Sequence, residues 1–259
     1  MSSSKIAIIS DVHGNLEALE SILADAGEVD GIWCLGDIVG YGANPIECLK
    51  ILMGLDNLVC VKGNHDATAY GWEIKMNNQA RAAIIWTRQQ LNDNYLNWMH
   101  GLPLVEYPCD NTVMVHSTLG SPHLFEYFLM QYDMQQHFAH QVEDGSDICF
   151  VGHSHVPCGI IYNKDNGDML SVPEFHDGLE VSTLSGHTYT FNPGGAGQPR
   201  GIDDWRAPYI MATMEDNKVV SVQMKRVEYD VFKARTKIID AGLPEEIGNR
   251  LLKNWTGTN

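Results

Sequence analysis

The chain has 259 residues and carries a formal net charge of −16, with 33 acidic and 17 basic side chains. That balance argues against a groove for long nucleic acid, which needs clustered Lys and Arg, and means that an anionic substrate would need bound cations to reverse the local field. Hydrophobic residues make up 44%, enough for a sizeable core, while no apolar run approaches the roughly 18 residues needed to cross a bilayer.

Six cysteines occur without a C-x-x-C pair, and Cys34, Cys60 and Cys149 lie inside apolar runs. They are expected to be core thiols of a protein in a reducing compartment. The Ile6–Ile9 run is too short for a signal-peptide h-region, so a cytoplasmic location is expected.

In chain order, Ile6–Ile9 reads as a strand buried on both faces. It runs into Ser10-Asp11-Val12-His13-Gly14-Asn15, where Asn15 can cap a helix with Leu16, Leu19, Ile22 and Leu23 at helical spacing. A second strand, Gly31–Leu35, ends at Gly36-Asp37; a glycine-rich loop and a Pro45-initiated helix follow. A third, Leu58–Val61, ends at Gly63-Asn64-His65-Asp66, with Gly63 expected to supply a sharp turn through positive φ. This βαβαβ order predicts a parallel sheet with right-handed crossovers.

Residues 67–101 read as helical, with Ala80, Ala83, Ile84, Leu91, Leu96 and Trp98 on an apolar face and Trp72, Trp86 and Trp98 as packing aromatics. From Leu104 short strands are predicted at 112–115, 148–151, 158–162, 179–184, 188–192, 209–215 and 219–228, giving a second sheet against the first. Helix returns at 231–241, capped by Asp230 and ended by Gly242, and again after Pro244. The chain reads as one domain over 1–259 with a helical extension from about 230, which would cover the second sheet or join two subunits as a homodimer.

Five strand-like runs therefore end on metal-competent side chains, where open α/β sheets place their ligands. If the chain is extended there, residues i and i+2 share a face, so Asp11 would stand beside His13, and His153 beside His155. With Asp37, Asn64 and His116 the set holds seven oxygen and nitrogen ligands, too many for one tetrahedral zinc. It suits two divalent ions sharing a carboxylate, with Asp37 as the bridge. Imidazole with carboxylate favours Mn, Fe, Ni, Co or Zn over Ca or Mg. Each residue alone also fits a turn aspartate, a capping asparagine or a solvated histidine.

The order D-x-H, G-D, G-N-H-D, a lone His after a strand, and G-H-x-H resembles the signature of the calcineurin-like metallophosphoesterases. Asn77–Arg88, the Asn192–Arg200 loop and Val227–Asp230 are similar to the small bacterial and archaeal phosphodiesterase branch, whose members are related to diadenosine tetraphosphatases. The loop departs from the usual Ser-Val at Gly195-Ala196.

The resemblance implies a four-layer αββα sandwich: two mixed sheets flanked by helices, with the metal site at the C-terminal ends of strands. Asp11, His13 and His155 would hold one ion and Asn64, His116 and His153 the other, with Asp37 bridging and Mn the expected metal. A metal-activated water would attack phosphorus in line. His65 would sit over the phosphate as general acid, oriented by Asp66, and Asn64, His65 and Arg200 would bind substrate. Arg200 would meet a phosphate or pair with Asp203 or Asp204. His123 is placed near the pocket, and His100, His137, His140, His176 and His187 in surface or structural positions.

The function expected is a metal-dependent phosphoric ester hydrolase favouring diesters. A dinucleoside tetraphosphate hydrolase is the alternative, needing basic residues such as Arg200, Arg206, Lys62 and Lys75. A non-catalytic scaffold of the same fold is countered by the intact His65. The partner expected is a small phosphate ester or nucleotide, with no long nucleic acid and no membrane.

Overall fold

Residues 3–127, 131–172, 175–200 and 204–253 are described by the computed structural model. Strands β1 (Ser4–Ile9), β2 (Gly31–Cys34) and β3 (Leu58–Cys60) lie parallel, joined by α1 (Leu16–Ala26) and α2 (Pro45–Met53). On the other side of β1 the sheet continues antiparallel through β11 (Ala207–Glu215), β12 (Lys218–Val227) and β9 (Glu180–Ser182). A second six-stranded sheet runs in the order β4 (Val105–Cys109), β5 (Thr112–Val115), β6 (Ile148–Phe150), β10 (His187–Asn192), β7 (Cys158–Asn163) and β8 (Met169–Ser171).

Both sheets mix parallel and antiparallel pairs, and helices flank them, as the resemblance implies. The period-2 alternation of a strand decides the layers. Ile6 and Ile8 pack with Phe150, Tyr189 and Phe191 of the second sheet. Ala7 and Ile9 turn the other way, to Leu19 and Ile22 of α1.

The long helical stretch is broken into α3 (Asn64–Tyr70), α4 (Asn78–Gln90) and α5 (Asp93–Gly101). Two asparagines restart it: Asn77 Oδ1 accepts from Ala80 N at 2.9 Å and Asn92 Oδ1 from Asn94 N at 3.0 Å, as N-caps do. Trp86 and Trp98 are half-buried against the core beneath these helices. The 14-residue α6 (Gln131–Asp144) was not expected from the sequence. Its buried face carries His137 and Gln141 beside Phe138, so the apolar stripe that marks a helix is missing. Strands β4 and β8, at opposite edges of the second sheet, were also not expected; their alternation is weak because they are only partly buried.

The C-terminal helices α7 (Val231–Asp240) and α8 (Glu245–Leu251) do not cover the second sheet. α7 packs on α1, α8 packs on α7, and Ala234, Ile238 and Ile247 join the same core cluster; Lys237 Nζ reaches the buried Glu17 carboxylate at 2.6 Å. Asp230 caps α7 by accepting from Lys233 N at 2.8 Å.

Candidate active site

The ligand-bearing turns are not extended. Asp11, His13, Asp37, His153 and His155 all adopt positive φ, between 50° and 64°, in the left-handed region that non-glycine residues rarely enter. Such backbone persists only where its surroundings over-determine it. Here Asp11 N donates to Gly36 O at 3.0 Å, His13 N to Asp37 O at 2.9 Å, and His153 N to Asp11 Oδ2 at 3.1 Å. Gly63, by contrast, has φ −90°, so positive φ is not its role. A Cβ there would lie 2.1 Å from Asp37 Oδ1; glycine is required by space.

This backbone sorts the ligands differently from the i/i+2 expectation. Asp11 and His13 do share a cluster, but His153 and His155 separate. Asp11, His13 and His155 converge in one group; Asp37, His116 and His153 form another. The amide oxygen of Asn64 lies 3.2 Å from His116 Nε2. Between the two groups stands Asp37 Oδ2, 3.7 Å from His13 Nε2 and 3.4 Å from His116 Nε2.

Three of the imidazoles are oriented in one way. His13 Nδ1 bonds Val39 O at 3.0 Å, His116 Nδ1 bonds Leu35 O at 2.6 Å, and His155 Nδ1 bonds Gln198 O at 2.8 Å. A carbonyl only accepts, so each Nδ1 carries hydrogen and Nε2 is left to face a metal, the usual arrangement of metal-binding histidines. The Asn192–Arg200 loop clasps this turn: Ala196 N donates to Ser10 O and Gly197 N to Asp11 O, both at 2.9 Å. Gly195 fits because a Cβ would come within 2.7 Å of His155 Nδ1.

The electrostatics call for a cation. Burial, reinforced by His65, holds His13 well below the ordinary imidazole range, and burial with the Arg200 charge does the same to His155. Burial also lowers His153 to about 3 and raises Asp11 to about 7. At His116 burial is outweighed by Asp37, and the ring is pushed up to about 10. Asp11 Oδ1 and His153 Nε2 are buried without hydrogen-bond partners. Lone pairs converging in this way, from imidazole and carboxylate with no thiolate, fit divalent transition ions.

His65 packs edge-on to His13 at 4.6 Å between ring centroids and lies 4.8 Å from Tyr41. Its Nδ1 is buried and unpartnered, and burial lowers its pKa to about 4. With His13 and Asp37 it also forms a third group able to hold a metal.

Asp66, expected to orient His65, is engaged elsewhere. Its carboxylate accepts from the backbone N–H groups of Asp37 (2.8 Å), Ile38 (3.0 Å), Val39 (3.3 Å) and Gly63 (3.1 Å), so it fixes the turn that carries Asp37. Arg200 does not pair with Asp204, which binds Arg206; Asp203 lies outside the described residues. Its Nη2 is 3.4 Å from the Tyr41 hydroxyl. His123 is exposed, and Tyr127 is the neighbour that reaches the site, stacked on His153 at 3.9 Å. His137 is structural, bonded to Thr190 Oγ1 at 3.1 Å.

Tyr41, Tyr127 and Arg250 were missed from the sequence. The side chain of Arg250, from α8, lies 5.8 Å from the Tyr41 ring. Among the described residues no helix is long and apolar enough to cross a membrane.

Two mixed sheets that bring imidazoles, carboxylates and an amide together at strand ends define a metal-dependent phosphoester hydrolase. The chain belongs to the calcineurin-like phosphoesterase superfamily, whose domain matches residues 5–217. It is 37% identical to a metallophosphoesterase from Sphaerobacter thermophilus over 98% of this chain and all of that one, with a TM-score of 0.83. It is also 37% identical to an uncharacterized protein of Methanocaldococcus jannaschii, over 97% of this chain and 98% of that protein. A symmetrical bis(5'-nucleosyl)-tetraphosphatase of Pseudomonas syringae is 32% identical over 121 residues, 43% of this chain and 41% of that protein. The similarity to that enzyme thus spans less than half of either chain.

Proposed function

We propose that the chain is a phosphodiesterase with two divalent transition ions, manganese foremost, in which His65 is the general acid. The carrying observation is the division of the ligands into two groups with Asp37 Oδ2 within 3.7 Å of a histidine Nε2 from each. When bound there, two ions would polarise the phosphoryl oxygens and lower the pKa of a bound water towards ~7.

The chain's own residues supply the rest. Asn64 turns its amide oxygen to His116, which leaves its N–H groups for a phosphoryl oxygen. Arg200 offers a guanidinium suited to a bidentate phosphate contact. His65 is neutral in its buried position, and an anionic ester beside it favours the imidazolium, which then gives its proton to the departing alkoxide. A diester is favoured over a monoester because a cavity of about 1090 Å³ opens beside His153 and Tyr127, walled by Val156, Ile160 and Phe175. It has room for an organic substituent on the phosphate.

The test is hydrolysis of bis(p-nitrophenyl) phosphate against p-nitrophenyl phosphate, with Mn²⁺ and with a chelator. Metal-dependent preference for the diester is expected; preference for the monoester would overturn the diesterase reading. Hydrolysis of dinucleoside tetraphosphates is the second reading. It is favoured by the partial similarity to the Pseudomonas syringae enzyme and by the pair of arginines at Tyr41.

A further inference from the structure

Tyr41 lies in the loop between β2 and α2 and is 3% exposed. Its ring centroid lies 4.7 Å from that of His13 and 4.8 Å from that of His65. Two guanidinium groups approach the same ring, Arg200 from the Asn192–Arg200 loop and Arg250 from α8, each 5.8 Å from its centroid. Cation–π attraction contributes to each contact, and the two guanidiniums bring two positive charges to one ring. Among the described residues neither arginine has a carboxylate partner, although the chain carries 33 acidic side chains. Arg206, by contrast, pairs with Asp177 and Asp204, and Arg235 with Glu245.

Arg250 is held in place by more than its own helix. Gln198 Nε2 donates to Ile247 O at 3.4 Å while the Gln198 carbonyl accepts from His155 Nδ1. The turn of α8 that carries Arg250 is thus linked to a ligand of the metal site. Both α7 and α8 lie beyond the part of the chain matched by the superfamily domain.

We infer that Arg200, Arg250 and Tyr41 form a subsite for a second phosphate group, next to the one held at the metal centre, so that the substrate class is an ester of a phosphate chain. A further anion within reach of both guanidiniums would neutralise them and give each the planar contact that arginine makes with phosphate. The inference rests on the proposed phosphoester chemistry for the first phosphate but adds a separate anion site.

The test is calorimetric titration of the Mn²⁺-loaded protein, freed of excess metal, with pyrophosphate and with orthophosphate. Pyrophosphate is expected to bind at least tenfold more tightly, and Arg250→Gln to abolish that preference while Arg250→Lys retains part of it. Arg200→Gln serves as the second variant should Arg250→Gln unfold. Equal affinity for the two anions, or a preference unchanged in both variants, would overturn the subsite. Failure of the reaction itself reads differently: the metal-loaded protein would turn over no phosphate ester while the pyrophosphate preference persisted.

Discussion

The Nε2 atoms of His13 and His155 lie 3.1 Å apart, beside Asp11 Oδ1 at 3.2 Å from the second of them. Both Nδ1 atoms are committed to backbone carbonyls, so two lone pairs and a carboxylate face one another in a buried site. Something positive has to stand there.

Metal removal follows directly. An ion that binds the folded state at a hundred times its Kd adds about 2.7 kcal/mol, so a chelator should lower the thermal midpoint and Mn²⁺ should restore it. The same melts on His155→Ala should show a reduced Mn²⁺ shift. A wild-type midpoint indifferent to chelator and Mn²⁺ alike would refute the metal site.

His65→Ala should keep its metal while losing turnover on the order of 10²–10⁴-fold, the range of general acid catalysis. Metal analysis and kinetics on the same preparation decide it. Lost metal with an unchanged rate per occupied centre would make His65 a ligand, which its nearness to His13 and Asp37 also permits.

Asp66→Ala should behave oppositely. It strips an acceptor from four buried backbone N–H groups; at 1–3 kcal/mol for an unsatisfied buried donor, a loss of about 3 kcal/mol or more is expected. The turn that carries Asp37 loosens with it, so metal should be lost as well. Urea unfolding with metal analysis tests both, and a variant of native stability that only lost turnover would return Asp66 to the orienting role.

The pH dependence of stability should carry the mark of His137. Burial, with His140 nearby, lowers its pKa from 6.5 to about 4. Its Nδ1 accepts from Leu119 N at 3.5 Å while Nε2 lies 3.1 Å from Thr190 Oγ1, contacts that the neutral ring makes. Between the two pKa values the unfolded chain binds a proton that the fold refuses. Stability therefore rises with pH through this window and is lost as pH falls from 6.5 towards 4, by about 3 kcal/mol for this group. Unfolding of His137→Gln should show a smaller loss over that range than the wild type; parallel curves would count against it.

Much of this was legible because it is local. Short apolar runs ending on Asp, Asn or His name the strands and their ligands together, since a strand's side chains and the turn after it lie within a few residues. The capped starts at Asn15 and Asp230 were legible for the same reason. α6 was not, because its buried face is polar and bonded to β10, and periodicity detects only apolar faces.

Sequence alone thus determined which residues could ligate and that strand ends would present them. Strand-end spacing did not give their grouping, which the family resemblance implies and which the tertiary structure explains. The separation of His153 from His155 follows from left-handed backbone held by bonds to distant turns. Gly63 is explained by the approach of Asp37, and Asp66 by backbone N–H groups 27 to 29 residues away in sequence. Arg250 meets Tyr41 only because α8 packs on α7 and reaches the Gln198 loop. Contacts of such sequence separation are set by packing of the whole core, and no local pattern encodes them.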